Sequence, residues 1–319
     1  MSTPLKVRIG AAIWCVFTYY AVPDLHHSNW ASALLLLAAL VLAPMAWCLA
    51  NDEADTGGVL RWRRLAMGLQ IPAGVLLAVS LLMPTGVPAV LCALPWVVAL
   101  MAMAMVGILR LSKARPAMPN LLREAGLIFA VIGGVWLLAD RAGLRPLSFP
   151  PAIVMLTAVH FHYAGFVLPM VASLALALRP TSLVGRMSGW GIIVGVPMVA
   201  VGITATQLGW PRGLEMGATW VLVAASGGVA WLLLQLAGAE KTVPTSSRVM
   251  WVIAGVSLAL GMGLAGLYGS RAMFQPMPWL DIPWMRALHG TLNALGFSMV
   301  ALLGWCRAGR ECCCGRTSG

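Results

Sequence analysis

Residues 30–50 read WASALLLLAALVLAPMAWCLA without one charged side chain, and stretches of this kind recur along nearly the whole chain. About 20 apolar residues in helical form span a hydrocarbon core of roughly 30 Å. Nothing else in the sequence limits the fold as strongly. A segment in lipid must satisfy its own backbone polar groups, so it becomes a helix or part of a closed barrel. The ten-residue alternation of barrel strands is missing. Composition agrees: 10% of the 319 residues are charged, against about 25% in soluble domains. The expected fold is all-α, a polytopic transmembrane helical bundle forming a single integral membrane domain over 1–319.

About ten spans are expected, at 8–22, 30–50, 65–84, 86–109, 121–139, 151–178, 188–207, 216–237, 249–269 and 286–305. The first follows Lys6 and Arg8, which also fits a cleaved signal peptide. It lacks a small-x-small exit and ends in the interfacial pair Tyr19-Tyr20, so it is expected to be retained. Counting loops alternately from an inside N-terminus puts sixteen of the 21 Lys and Arg residues inside. Only Arg141, Arg145, Arg212, Arg271 and Arg286 fall outside. The positive-inside rule then places both termini in the cytoplasm. The net charge of +11 is thus a sorting and lipid-surface signal. No basic patch with interleaved aromatics supports nucleic-acid binding, and the expected partner is the lipid bilayer.

Cys15, Cys48 and Cys92 lie in or beside spans, where thiols act as small apolar groups. Cys306 and the triplet Cys312, Cys313 and Cys314 fall in a short Cys-rich tail, 306–319, where a soft metal or acyl chains are readings of the triplet. Pro44, Pro72, Pro95, Pro169 and Pro197 lie in or near spans and invite kinks. No internal repeat of the kind many transporters carry is visible.

The polar residues of the spans gather on the outer side. His160 falls about 15 Å below the start of its span. His289 and Asn293 are spaced i,i+4 and share a helix face. Asp140 caps the outer end of its span, and Thr204 and Gln207 lie near the outer end of theirs. The simplest reading is an outward-opening polar pocket of His160, His162, Tyr163, Asp140, Thr204, Gln207, His289 and Asn293. Residues two apart point about 200° away from each other on a helix. His160 and His162 therefore serve different neighbours. Three readings stay open for them: interhelical glue, a transition-metal or haem site with His289, and proton or substrate handling.

The string Val159-His160-Phe161-His162-Tyr163 resembles the haem-ligating helix of haem–copper oxidases, where two histidines hold two haems on opposite sides. The likeness covers about five residues, and the further helix-borne histidines of an oxidase are missing. A longer resemblance is carried by Leu34–Met45, Ala93-Leu94-Pro95-Trp96, Trp136 through Arg141, Pro151 through Pro169, and Val194-Gly195-Val196-Pro197. It continues through Gly202 to Gln207, Asp281-Ile282-Pro283 and His289 through Phe297. These blocks are similar to the YndJ-like family of bacterial integral membrane proteins, whose members are often labelled transporters without an established substrate. The resemblance implies a multi-pass protein of the bacterial inner membrane. The outward-opening pocket makes transport of a small molecule or ion the expected function. A metal- or haem-dependent membrane enzyme, or a scaffold or sensor, is the alternative.

Overall fold

The computed structural model describes residues 2–52, 54–113, 116–274 and 277–309. Ten long helices follow one another: α1 (Thr3–Ala21), α2 (Asn29–Leu49), α3 (Gly58–Leu82), α4 (Val87–Leu111), α5 (Met118–Arg141), α6 (Pro151–Leu178), α7 (Leu183–Gln207), α8 (Gly213–Ala239), α9 (Thr245–Gly269) and α10 (Ile282–Arg307). Among the described residues, nine of them, α2 to α10, are long and apolar enough to cross a membrane. No strand occurs among the described residues. The chain is thus a polytopic helical membrane protein. The cysteine triplet of the tail lies outside the described residues.

The helix starts follow local chemistry. Proline occupies the first turn of α1, α4, α5, α6 and α10, where its missing N–H is not needed. Ser182 accepts a bond from the Gly185 amide at 3.1 Å, and Asp281 accepts one from Trp284 at 3.0 Å. Both side chains satisfy a donor left free at a helix start. Connections are mostly short, so successive helices pack as antiparallel neighbours.

Two helices form the interior. The apolar windows of α2 and α6 are 89% and 83% buried, against 39–56% for the others. Around this pair, α1 packs closely on α2, because a Cβ on Gly10 would lie 2.2 Å from the Leu40 carbonyl oxygen. Trp14 Nε1 also donates to the Ala33 oxygen at 2.7 Å.

Among the described residues three of the long helices depart from α geometry, and they share one region. A wider π-helical turn occupies Ala38–Leu42 in α2 and Tyr163–Val167 in α6. In α10 such turns run through Arg286–Gly290 and Leu292–Met299. Pro44 and Pro169 follow the first two directly. A proline ring clashes with the carbonyl four residues earlier, and a wider turn relieves it. No proline explains the π turns of α10. The three helices are tied together by Tyr163 Oη donating to the Leu34 oxygen (2.7 Å) and by Trp30 Nε1 donating to Thr291 Oγ1 (3.0 Å).

Candidate functional site

The π turns of α6 and α10 border a cavity of about 310 Å³. Its wall takes Leu34 from α2, His160 and Tyr163 from α6, Thr204 from α7, Glu215 from α8, Tyr268 from α9, and Arg286, His289 and Asn293 from α10. Apolar side chains, among them Leu156, Val199, Leu222, Met262 and Phe297, make most of the surface. The cavity lies toward the end of the bundle that holds the α5–α6, α7–α8 and α9–α10 connections: Phe149, Thr204, Glu215, Gly269 and Ile282 all line it. π turns recur at functional sites because they re-aim side chains within a helix.

The two histidines of α6 part as helix geometry requires. His160 faces the cavity, and its Nε2 is buried without a hydrogen-bond partner. His162 points the other way and is 1% exposed. Its Nδ1–H donates to the Ala158 oxygen at 2.8 Å, and its Nε2 accepts from Trp96 Nε1 at 3.1 Å. The ring stacks on Trp96 at 6.1 Å, and Trp96 stacks on Trp47 at 5.8 Å, a column crossing α6, α4 and α2. On the far side α5 closes in: a Cβ on Gly133 would lie 2.6 Å from His162 Nδ1. Both nitrogens of His162 are therefore engaged. The expectation that it shares the pocket is corrected, and no room for a haem remains on its side.

His289 is oriented by backbone. Its Nδ1–H donates to the Gly261 oxygen at 2.7 Å, which leaves Nε2 as the acceptor. Asn293 Nδ2 donates to the His289 carbonyl at 2.9 Å and lies 3.1 Å from the ring's Nδ1 and 3.5 Å from its Nε2, while its Oδ1 is buried and unpartnered. His160, Tyr163, Thr204, His289 and Asn293 are thus brought to one cavity.

Asp140 and Gln207 are not. Asp140 bonds Arg141 at 2.8 and 2.6 Å, and Arg141 reaches the Ser80 carbonyl at 3.1 Å, which fastens the ends of α3 and α5. Gln207 is exposed and donates to the carbonyls of Leu147 and Ser148, at 3.3 and 3.4 Å. Both of those residues have positive φ, a strained conformation for non-glycine residues, in the loop that leads into α6.

The cavity also holds groups that the sequence reading passed over as candidates: Glu215, Thr219, Tyr268 and Arg286. Arg286 had served only as a boundary charge. Its signal was its place three residues before His289, on the same face. Among the described residues no group of three or more His, Cys, Asp and Glu side chains gathers as a metal site. Of His160, His162 and His289, only the first and last reach the cavity.

A second polar cluster lies at the opposite end. Arg110 binds Asp55 through two bonds, 2.6 and 3.0 Å, and the Ala50 carbonyl at 3.0 Å. It also lies 3.4 Å from Glu124. Arg123 bonds Glu124 at 2.6 Å and Asp52 at 3.2 Å, and Arg63 reaches Asp55 at 3.5 Å. Burial pushes the Asp52 carboxyl upward, but the Ala54 amide and the Arg123 and Arg110 guanidiniums outweigh it, so its pKa lies below the ordinary value.

Comparison with known proteins agrees with the resemblance. The family described as YndJ-like protein matches residues 33–297, a range that includes His160, Arg286, His289 and Asn293. The uncharacterized membrane protein YndJ of Bacillus subtilis (strain 168) is 32% identical over 181 residues, which are 56% of this chain and 31% of that protein. The chain spans about a third of the length of that curated relative. No solved structure matches.

Proposed function

The chain belongs to the YndJ-like family of membrane proteins, and we propose that it acts as a transporter whose solute binds in the cavity walled by α6 to α10 and by Leu34 of α2. One observation carries this reading: a cavity of about 310 Å³, where Arg286 Nε and Ser298 Oγ also lack a partner, holds two buried acceptors, His160 Nε2 and Asn293 Oδ1, with no hydrogen-bond partner among the described residues. Buried polar atoms are nearly always paired. A bound solute offering a donor to each would complete them. The π turns of α2 and α6, each followed by a proline, supply joints about which these helices can rearrange.

In this proposal all ten helices cross a bacterial inner membrane, α1 included. Both termini lie in the cytoplasm with the Arg63, Arg110 and Arg123 end, and the cavity opens outward. The bias of basic residues supports the orientation, and the Bacillus relative supports the choice of membrane. A metal-dependent enzyme is the weaker reading, since only two imidazoles face the cavity and structural or catalytic zinc takes three or more protein ligands.

Flux into proteoliposomes tests the proposal, using pools of radiolabelled small solutes. We expect at least one pool to accumulate with the wild type, with His160→Ala abolishing uptake and Gln207→Ala, outside the cavity, leaving it unchanged. Uptake equal in wild type and His160→Ala contradicts it.

A further inference from the structure

Arg286 stands at the start of the π turns of α10 and lines the cavity. The residue is 8% exposed, and its Nε makes no hydrogen bond. Among the described residues no carboxylate comes within ion-pair distance of its guanidinium. Two carboxylates, Asp24 and Asp281, act on it electrostatically from beyond ion-pair distance, each held in place by backbone amides. Asp281 accepts the Trp284 amide at 3.0 Å, and Asp24 accepts the His26 and His27 amides at 2.7 and 2.9 Å. The other charged residue of the wall, Glu215, is neutralised by Arg271 at 2.9 Å, which itself lies over the Tyr268 ring at 3.9 Å. The cavity therefore carries, near its end, one guanidinium without an ion-pair partner among the described residues, against a mostly apolar wall.

A buried guanidinium without an anion is unfavourable, and charged groups taken from water are normally paired. A guanidinium fork fits the two oxygens of a carboxylate or a phosphate equally well. The volume is near the low end for small-molecule sites, about 300–1,000 Å³, which suits one short chain and not a two-chain lipid. We propose that the cavity takes a small single-chain amphiphile with an anionic head, the head held by Arg286 and the apolar body lying along Leu156, Leu222, Met262 and Phe297. This inference rests on the reading of the cavity as a solute site.

The test uses the full chain in nanodiscs of zwitterionic phosphatidylcholine, with three probes of one chain length: decanoate, decyl phosphate and decyltrimethylammonium. Binding of radiolabelled probe is read by equilibrium dialysis, and folding by melting temperature. We expect decanoate or decyl phosphate to bind saturably, one per chain, the tighter of the two identifying the head. R286Q weakens that binding at least tenfold, and R286K weakens it less. Without probe, R286Q melts at or above the wild type, because an unpaired buried charge has been removed, and the anionic probes raise the melting temperature of the wild type alone. Anionic binding unchanged in R286Q overturns the inference, as does equal affinity for the cationic probe or a large loss of stability in unliganded R286Q. Probe binding that ignores head charge, survives R286Q and is lost in His160→Ala overturns the anionic head while sparing the cavity as a solute site. Binding indifferent to both variants overturns both.

Discussion

Two histidines one residue apart do different work because a helix turns about 100° per residue. His162 belongs to the packing of α4, α5 and α6. Replacing it with alanine strips Trp96 Nε1 of its acceptor and opens a void beside Gly133. A loss of roughly 2–4 kcal/mol is expected, measured by denaturation in mild detergent. His160→Ala removes a ring whose Nε2 has no protein partner, so stability should stay within about 1 kcal/mol while ligand binding fails. Gly133→Ala tests the same contact from α5. The new methyl group would meet the His162 ring and the Ala158 carbonyl, and overpacking of this kind costs about 1–3 kcal/mol. The opposed directions of the two histidines were legible in the sequence, since they follow from spacing alone. The pairing of His162 with Trp96 was not, because 66 residues separate them in the chain and nothing local connects them.

Among elements, the loop between α2 and α3 shows how charge is managed at a helix end. Asp52 and Asp55 meet Arg63, Arg110 and Arg123, with Glu124 of α5 completing a neutral set. Glu124 is 1% exposed and Asp55 8%. Deleting one member leaves a buried charge unmatched. Asp55→Ala or Glu124→Gln should therefore cost about 3–5 kcal/mol, read as a lowered denaturation midpoint. Asp52 adds a pH signature. Its folded pKa is depressed, so its ion pair with Arg123 contributes stability above the ordinary carboxylate value near 4. That contribution fades as pH falls from there through the lowered folded value. Melting of the wild type should weaken across this acid range, and Asp52→Asn should flatten that part of the curve. The sequence displayed the arginines as topology marks only. Their neutralising geometry depends on how α4 and α5 lie against the loop, which no local pattern encodes. The π turns were half legible: Pro44 and Pro169 announced distortions in α2 and α6, whereas α10 carries no such mark.

For the whole molecule, hydropathy specified the bundle because each helix must be apolar over its full length in lipid. Among the described residues, one helix stands apart from the nine that are long and apolar enough to cross a membrane. α1 is a 19-residue helix laid against α2, but it is not among the nine with sustained apolarity. The grouping of α6 to α10 around a cavity was beyond sequence periodicity, since helices apolar on all sides do not declare which face meets which neighbour. His160, Tyr163, Thr204, His289 and Asn293 line one cavity, together with Arg286. The central claim is that this hollow is open to water from the side away from the termini. Single cysteines at Thr204, Asn293 and Ser226, introduced into a cysteine-free chain, test it when intact cells are treated with a membrane-impermeant maleimide. Cysteine at 204 and 293 should be labelled rapidly from outside, and cysteine at the fully buried position 226 should not. Labelling at 293 no faster than at 226, or only after the cells are opened, would contradict it.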